Sequence, residues 1–264
     1  MRAAADEFCR SFGLDTPILQ AGMGWVSGGR LAGAVSAAGG LGVIATGGTM
    51  PAAELRAHIS RVRDEAPARS FGVNLLLPRG ADPDVEFGAP ALTRELLDVC
   101  LAERVPVLVV GLGDPRPVMT EIRQAGSRVV GVVGSPRAAR NVAKAGADAV
   151  IVQGREAGGH VGEIGTLTLL QTALRDLDCP VALAGGVATS QAVASALAAG
   201  AAAVSVGTRF LASHESDAHD VFKQAVVDAT ARSTAVTRAC TGKPSRALCR
   251  LPPPPCAAAS RSES

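Results

Sequence analysis

Tyrosine is absent from the chain, tryptophan occurs once, and aromatic residues amount to only 3% of it. With 47% of residues hydrophobic, the interior has to be filled by Ala, Val, Leu and Ile instead, which suits a parallel sheet covered on both faces. No CxxC pair occurs among Cys9, Cys100, Cys179, Cys240, Cys249 and Cys256, and Asp6, Glu7 and Arg10 interrupt any secretory segment at the start. Reduced thiols in a cytoplasmic protein are therefore expected. An excess of one charge is lacking too: 26 basic and 24 acidic residues are spread along the chain for a net +2, with no basic block and no interleaved aromatics. Nucleic acid is therefore not an expected partner. No pair of histidines stands with carboxylates at metal-ligand spacing, so no metal site is expected. The stretch Pro180 to Thr208 carries no charge and on length alone would admit a membrane span. Gly185-Gly186, Thr189, Ser190 and Gln191 break it in the middle. Strand, turn, helix and strand explain it better, and no membrane is expected.

What is present is a repeating alternation. Apolar runs bounded by Gly and Pro begin near Pro17 (PILQA), Leu41 (LGVIA), Phe71 (FGVNLL), Pro106 (PVLVVG), Arg128 (RVVGVV), Asp148 (DAVIVQ), Pro180 (PVALA) and Ala203 (AVSVG). Each is nearly continuous in apolar residues, as a strand buried on both faces should be. Helix-length segments lie between them at Gly29 to Ala38, Pro51 to Glu65, Pro90 to Glu103, Pro115 to Gln124, Pro136 to Ala145, Leu167 to Asp176 and Ser190 to Ala199. Pro near four of their starts and Gly at several ends (Gly39, Gly126, Gly146, Gly200) fit the asymmetry of helix termini. Eight alternations predict an α/β fold, a single (β/α)8 TIM barrel, and 264 residues match the roughly 250 of such a unit. An open doubly wound sheet would want an acid at the end of the second strand, and Ala45-Thr46-Gly47 stands there instead. One domain over residues 1–251 is expected, followed by a disordered tail over 252–264, where four prolines precede a Ser/Arg/Glu end.

In a barrel the ligand groups come from the loops after the strands. After the seventh and eighth strands stand Gly185-Gly186 and Val206-Gly207-Thr208-Arg209, where side-chain-free backbone would let N–H groups approach a phosphate. Taken singly, such glycines are as well explained as tight turns. After the sixth strand comes Gln153-Gly154-Arg155-Glu156-Ala157-Gly158-Gly159-His160, and a histidine in a Gly-rich loop on that face is placed for proton transfer. His58, His214 and His219 lack that setting, His219 reading as surface. Met23-Gly24-Trp25 follow the first strand, and Asn74 lies just inside the third, where a buried amide needs partners.

These motifs resemble the nitronate monooxygenase family and its allies, the FMN-dependent enoyl-acyl-carrier-protein reductases. The resemblance runs roughly from Thr16 to Leu248, through ILQAGMGWVSGGRLAGAVSAAGGLGVIATGG, FGVNLLLP, GADAVIVQGREAGGHVG, PVALAGGVATSQAVASALAAGAAAVSVGTRFLASHES and TRACTGKPSRAL. It implies FMN as cofactor at the carboxyl ends of the strands. Met23 and Gly24 would contact the flavin and Asn74 and Gln153 hydrogen-bond its rings. Gly158, Gly185, Gly186, Ser205, Val206, Gly207 and Thr208 would hold the rest, the last two at the phosphate. His160 matches the catalytic histidine of the EAGGH motif, and Trp25 would line the pocket.

The activity so implied is oxidation of alkyl nitronates or nitroalkanes by O2 to a carbonyl compound and nitrite, with His160 as base and a homodimer left open. The branch stays open as well. QAGMGWV looks closer to the reductases, and Gln153 closer to the monooxygenases, so an NAD(P)H-dependent enoyl-acyl-carrier-protein or quinone reductase is the alternative. A flavin-binding protein without turnover is the alternative of another class. A barrel dehydrogenase with a loop cysteine as nucleophile is set aside, because Cys179 precedes its strand.

Overall fold

The computed structural model describes residues 2–77, 90–111, 113–239 and 242–249; the tail expected from residue 252 lies outside them. Helix α1 (Arg2–Phe12) leads into β1 (Ile18–Gln20), α2 (Gly29–Ala37), β2 (Gly42–Ala45), α3 (Ala52–Glu65), β3 (Phe71–Leu76), α4 (Pro90–Ala102) and β4 (Val107–Gly111). A 3-10 turn (Arg116–Val118) and α5 (Met119–Gln124) follow, then β5 (Arg128–Val133), α6 (Pro136–Lys144) and β6 (Ala149–Gln153). The second half adds β7 (Gly159–His160), α7 (Thr166–Asp176), β8 (Val181–Ala184), α8 (Ser190–Ala198) and β9 (Ala203–Val206). Short α9 (Thr208–Leu211), α10 (Asp220–Val227), β10 (Thr234–Thr237) and β11 (Ser245–Leu248) complete the described elements.

Eight parallel strands run in the order β1-β9-β8-β6-β5-β4-β3-β2. The seam between β1 and β2 is closed by Gln20 N donating to Leu41 O and Leu41 N to Ile18 O, both 2.9 Å. The side chain of Gln20 extends the seam, its Oε1 accepting from Val43 N at 2.9 Å. The result is the (β/α)8 barrel that the apolar runs predict, each run supplying one strand. Among the described residues no helix is long and apolar enough to cross a membrane. The uncharged stretch from Pro180 is β8, α8 and β9.

Alternation along each strand divides the core in two. Ile44, Val73, Leu75, Leu108, Val110, Val150, Val152, Leu183 and Val204 pack with the helices in the outer layer. Their neighbours Val43, Val107, Val109, Val130, Ala149, Ile151, Ala182 and Ala203 form the barrel interior with Phe8, Phe12 and Leu14. The interior residues are small, as the scarcity of aromatics requires. The space left at the end where the strands begin is plugged by α1: Phe8 and Phe12 stack with centroids 4.5 Å apart, and the Arg128 guanidinium lies 5.4 Å above the Phe12 ring. Burying two such rings contributes about 1.5–3 kcal/mol each.

Candidate active site at the carboxyl end of the barrel

Strand parity decides which polar groups reach the barrel mouth. Register pairs Asn74 with Val109, Gln153 with Ala184 and Ala184 with Ser205, and Val109 and Ala184 belong to the interior set. Asn74, Gln153 and Ser205 therefore face inward at the last interior level. Val206 has the opposite parity and packs in the outer layer, so only its backbone is available to the mouth. The amides are already oriented: Asn74 Nδ2 donates to Val109 O at 2.9 Å, and Gln153 Nε2 to His160 O at 2.5 Å.

The first loop is fixed from below by a residue that sequence reading passed over. Gln20 is fully buried, and besides closing the seam its Nε2 donates to Ser27 Oγ at 2.9 Å. That hydroxyl accepts from Met23 N at 3.0 Å, and Ser27 O accepts from Ala45 N at 2.9 Å. Met23 is thus brought beside the last strand, its sulfur 3.4 Å from where a Cβ on Gly207 would stand. Asn74 supports the loop from the other side: a Cβ on Gly22 would fall 2.7 Å from its Cβ. Trp25 holds φ at 60°, a left-handed conformation costing roughly 1–2 kcal/mol in a non-Gly residue, and is 60% exposed beside Gly24 and Gly47. The sequence signal for Gln20 was a polar side chain ending an otherwise apolar strand.

The loops after β6 and β8 leave little room for side chains at Gly158 and Gly185. A Cβ on Gly158 would stand 3.1 Å from Thr208 Oγ1. Gly185, at φ 116°, would place one 2.8 Å from Thr166 Oγ1 and 2.9 Å from Ala157 N. Gly186 is left-handed as well, at φ 72°. Glu156 ties this cluster to the start of α7, its carboxylate accepting from Thr166 N at 2.8 Å and Thr166 Oγ1 at 2.5 Å. Burial pushes that carboxyl up, but the Thr166 donors, the backbone and the Arg246 charge outweigh it and hold it below the usual glutamate value. A negative charge at a helix start is favourable in any case.

The support of His160 comes from the far end of the described chain. TRACTGKPSRAL contributes β11, which with β10 forms a hairpin and pairs antiparallel with β7, setting Ser245 opposite His160 and Arg246 opposite Gly159. Val161 N donates to Pro244 O at 3.0 Å. Arg246 holds the ribbon to the loop, its Nε and Nη2 donating to Arg155 O at 3.2 and 3.1 Å and its Nη1 to Thr234 Oγ1 at 3.0 Å. His160 keeps exposed surface, yet desolvation by the surrounding chain, and then the charge of Lys243, lower its pKa below the ordinary histidine value. Burial disfavours a charged imidazole and a neighbouring cation disfavours it further.

The other histidines stand elsewhere. His58 Nδ1 accepts from Gly29 N at 2.9 Å and His219 Nδ1 from Val221 N at 3.2 Å at the start of α10. Cys179 lies before β8, at the opposite end of the barrel, its thiol pKa raised by burial. Among the described residues no cluster of His, Cys, Asp and Glu is arranged to hold a metal ion.

Comparison with known proteins agrees with this architecture. The family profile described as "Nitronate monooxygenase" matches residues 8–250. The chain is 37% identical over 236 residues to the (3aS,4S,5R,7aS)-5-hydroxy-7a-methyl-1-oxo-octahydro-1H-indene-4-carboxyl-CoA dehydrogenase of Rhodococcus jostii, covering 89% of this chain and 63% of that one. It is 36% identical over 280 aligned positions to a nitronate monooxygenase of Pseudomonas aeruginosa, covering 92% of this chain and 79% of the relative. Among solved structures it is similar to FabK from Thermotoga maritima, with a TM-score of 0.82, 42% identity and coverage of 92% and 74%. A nitroalkane oxidase from Streptomyces ansochromogenes superposes with a TM-score of 0.83 at 37% identity, covering 91% and 78%. The chain thus spans less than two thirds of the length of the CoA dehydrogenase it matches.

Proposed function

The chain belongs to the nitronate monooxygenase family, and on that premise we propose that it is an FMN-dependent oxidoreductase converting alkyl nitronates, or their parent nitroalkanes, and O2 into a carbonyl compound and nitrite. The residues fit a flavin nucleotide. Asn74 and Gln153 carry ring-binding amides on the inward face, with Met23 and Gly24 beside them. Gly158, Gly185, Gly186 and the Ser205 to Thr208 run form a cradle where a Cβ on Gly158 would meet Thr208 and one on Gly207 would meet Met23. Gly207 and Thr208 open α9 and would take the phosphate, Val206 contributing only its backbone. The flavin, when bound, supplies the electron-accepting chemistry that no side chain here carries.

The chain's own part is to bind, orient and move a proton. The observation that carries the reading is the placement of His160: its backbone is held by Gln153 and β11, and desolvation and Lys243 lower its pKa, favouring the neutral imidazole. A neutral imidazole can accept the α-proton of a nitroalkane. The nearby ammonium of Lys243 favours the nitronate that results, and Trp25 would cover the pocket's outer side. General-base catalysis contributes about 100-fold to 10,000-fold. The test is oxygen uptake by His160→Ala, expected to fall by that factor on neutral nitroalkane and much less on pre-ionised nitronate. Full turnover on the neutral substrate would remove His160 from the role.

A second reading, a reductase acting on an acyl thioester, is supported by the similarity to FabK and to the CoA dehydrogenase. It differs in predicting rapid flavin reduction by NADH or NADPH.

A further inference from the structure

Beside the β7–β11 ribbon lies a cleft of about 330 Å3 that the nitronate reading does not use. Gly162, Val236 and Pro244 form its apolar part, and Arg155, Arg238 and Glu163 its charged part. All three charged residues are exposed, and among the described residues neither arginine pairs with an acid, unlike Arg69, Arg128 and Arg140 elsewhere, which pair with Asp15, Asp148 and Asp176. The surrounding chain strengthens the field. From Ala229 to Cys249 it holds Arg232, Arg238, Lys243 and Arg246 and no acid, a local bias that the near-neutral total conceals. Position matters as much as charge: Gly162 and Glu163 follow His160 directly along the chain after Val161, whose N–H is held by Pro244. At about 3.3 Å per residue, a ligand seated there lies within roughly 10 Å of the proposed base.

An apolar side of Val236 and Pro244, two guanidiniums without an acid partner, of which Arg238 Nη1 donates to Gly242 O at 3.3 Å, and one carboxylate suit an adenosine phosphate. The ring would lie on Val236 and Pro244, the phosphates would meet Arg155 and Arg238, and Glu163 would accept from a ribose hydroxyl or the exocyclic amine. The volume is within the usual span for small-ligand sites, about 300–1,000 Å3, and paired arginines recognise phosphate well. We propose that this cleft is a subsite for the adenosine-phosphate end of a long substrate or co-substrate whose reactive end reaches the barrel mouth past His160. Two sources share that chemistry, a coenzyme A thioester and a phosphorylated nicotinamide dinucleotide. The inference rests on the oxidoreductase reading only for what happens at the reactive end; binding in the cleft stands apart from it. Remote contacts of this kind supply binding energy that the reacting centre can use.

Calorimetric titration of the flavin-loaded protein tests this without turnover, using coenzyme A, adenosine 2′,5′-bisphosphate, adenosine and inorganic phosphate as probes. One or both nucleotides should bind, adenosine and inorganic phosphate far more weakly. Arg155→Ala and Arg238→Ala should each weaken nucleotide binding about tenfold, added salt should weaken it too, and the flavin spectrum should be unchanged. Tighter binding of coenzyme A assigns the cleft to a thioester; tighter binding of the bisphosphate assigns it to a nicotinamide nucleotide and favours the reductase reading over the nitronate one. Absence of nucleotide binding, binding indifferent to both substitutions in variants that keep the flavin spectrum, or equal affinity for inorganic phosphate would overturn the proposal. Nucleotide binding without nitronate oxidation would instead count against the function proposed above and leave the cleft standing.

Discussion

The two ends of the barrel are built on opposite principles. Where the strands begin, aromatic rings fill the opening, Phe8 and Phe12 being buried under α1, and cations are matched by acids, as in Arg128–Asp148. Where the strands end, glycines at positive φ leave backbone bare, amides face inward from Asn74 and Gln153, and, although Arg116 pairs with Asp114 after β4, Arg155, Arg209, Arg238, Lys243 and Arg246 make no ion pair with a described acid. One end stabilises the barrel; the other holds open a polar, cationic mouth. Substitutions at the two ends should therefore separate stability from binding.

The largest stability effect is expected from Phe8→Ala, which empties the plug and should cost about 3–5 kcal/mol. Denaturant unfolding would measure it, while flavin affinity per folded molecule stays unchanged. Ser27→Ala comes next: it removes the hydroxyl that Gln20 and Met23 N share, leaving buried polar groups unmatched at about 1–3 kcal/mol, and should weaken flavin binding as well, which fluorescence titration reads. Glu156→Gln should cost about 0.5–2 kcal/mol as loss of a helix-capping charge. Because the folded-state pKa of Glu156 is depressed, that advantage is present above the ordinary glutamate pKa and lost as pH falls through the folded value. Wild type and Glu156→Gln should accordingly converge in stability on acidification. The smallest effect is that of Lys243→Met. The lysine lowers the His160 pKa, so its removal should raise that pKa and move the acid limb of the kcat/KM profile on neutral nitroalkanes to higher pH, with a modest fall of the plateau as the charge that favours the nitronate is lost.

The same contrast explains what could be read in advance. A strand buried on both faces must be an apolar run, and runs such as PVLVVG and AVSVG, punctuated by Gly and Pro, announce their positions and hence the loops that follow them. The plug was within reach, since Ala5, Phe8 and Phe12 of α1 share one helical face, but without a partner strand nothing assigns that face a destination. Support for His160 was hidden for a different reason. β7 is only Gly159–His160, too short for any periodicity, and its stability comes from Ser245 and Arg246 far along the chain. Gln20 looked like a strand end, and Glu156 like one more polar loop residue, because Ser27 and Thr166 explain them only once the loops have closed. Local pattern reveals the scaffold, whereas non-local hydrogen bonds position the chemistry.

The central claim is that the glycine-rich mouth holds a flavin from which nitronates are oxidised. The most direct measurement is the visible spectrum of the purified protein, followed anaerobically while a nitronate, or separately NADH or NADPH, is added. The account predicts a flavin spectrum bleached by nitronate and not by nicotinamide nucleotide, with colour returning on admission of air. A flavin bleached rapidly by NADH or NADPH and untouched by nitronate, or a folded protein unable to take up FMN, would contradict it.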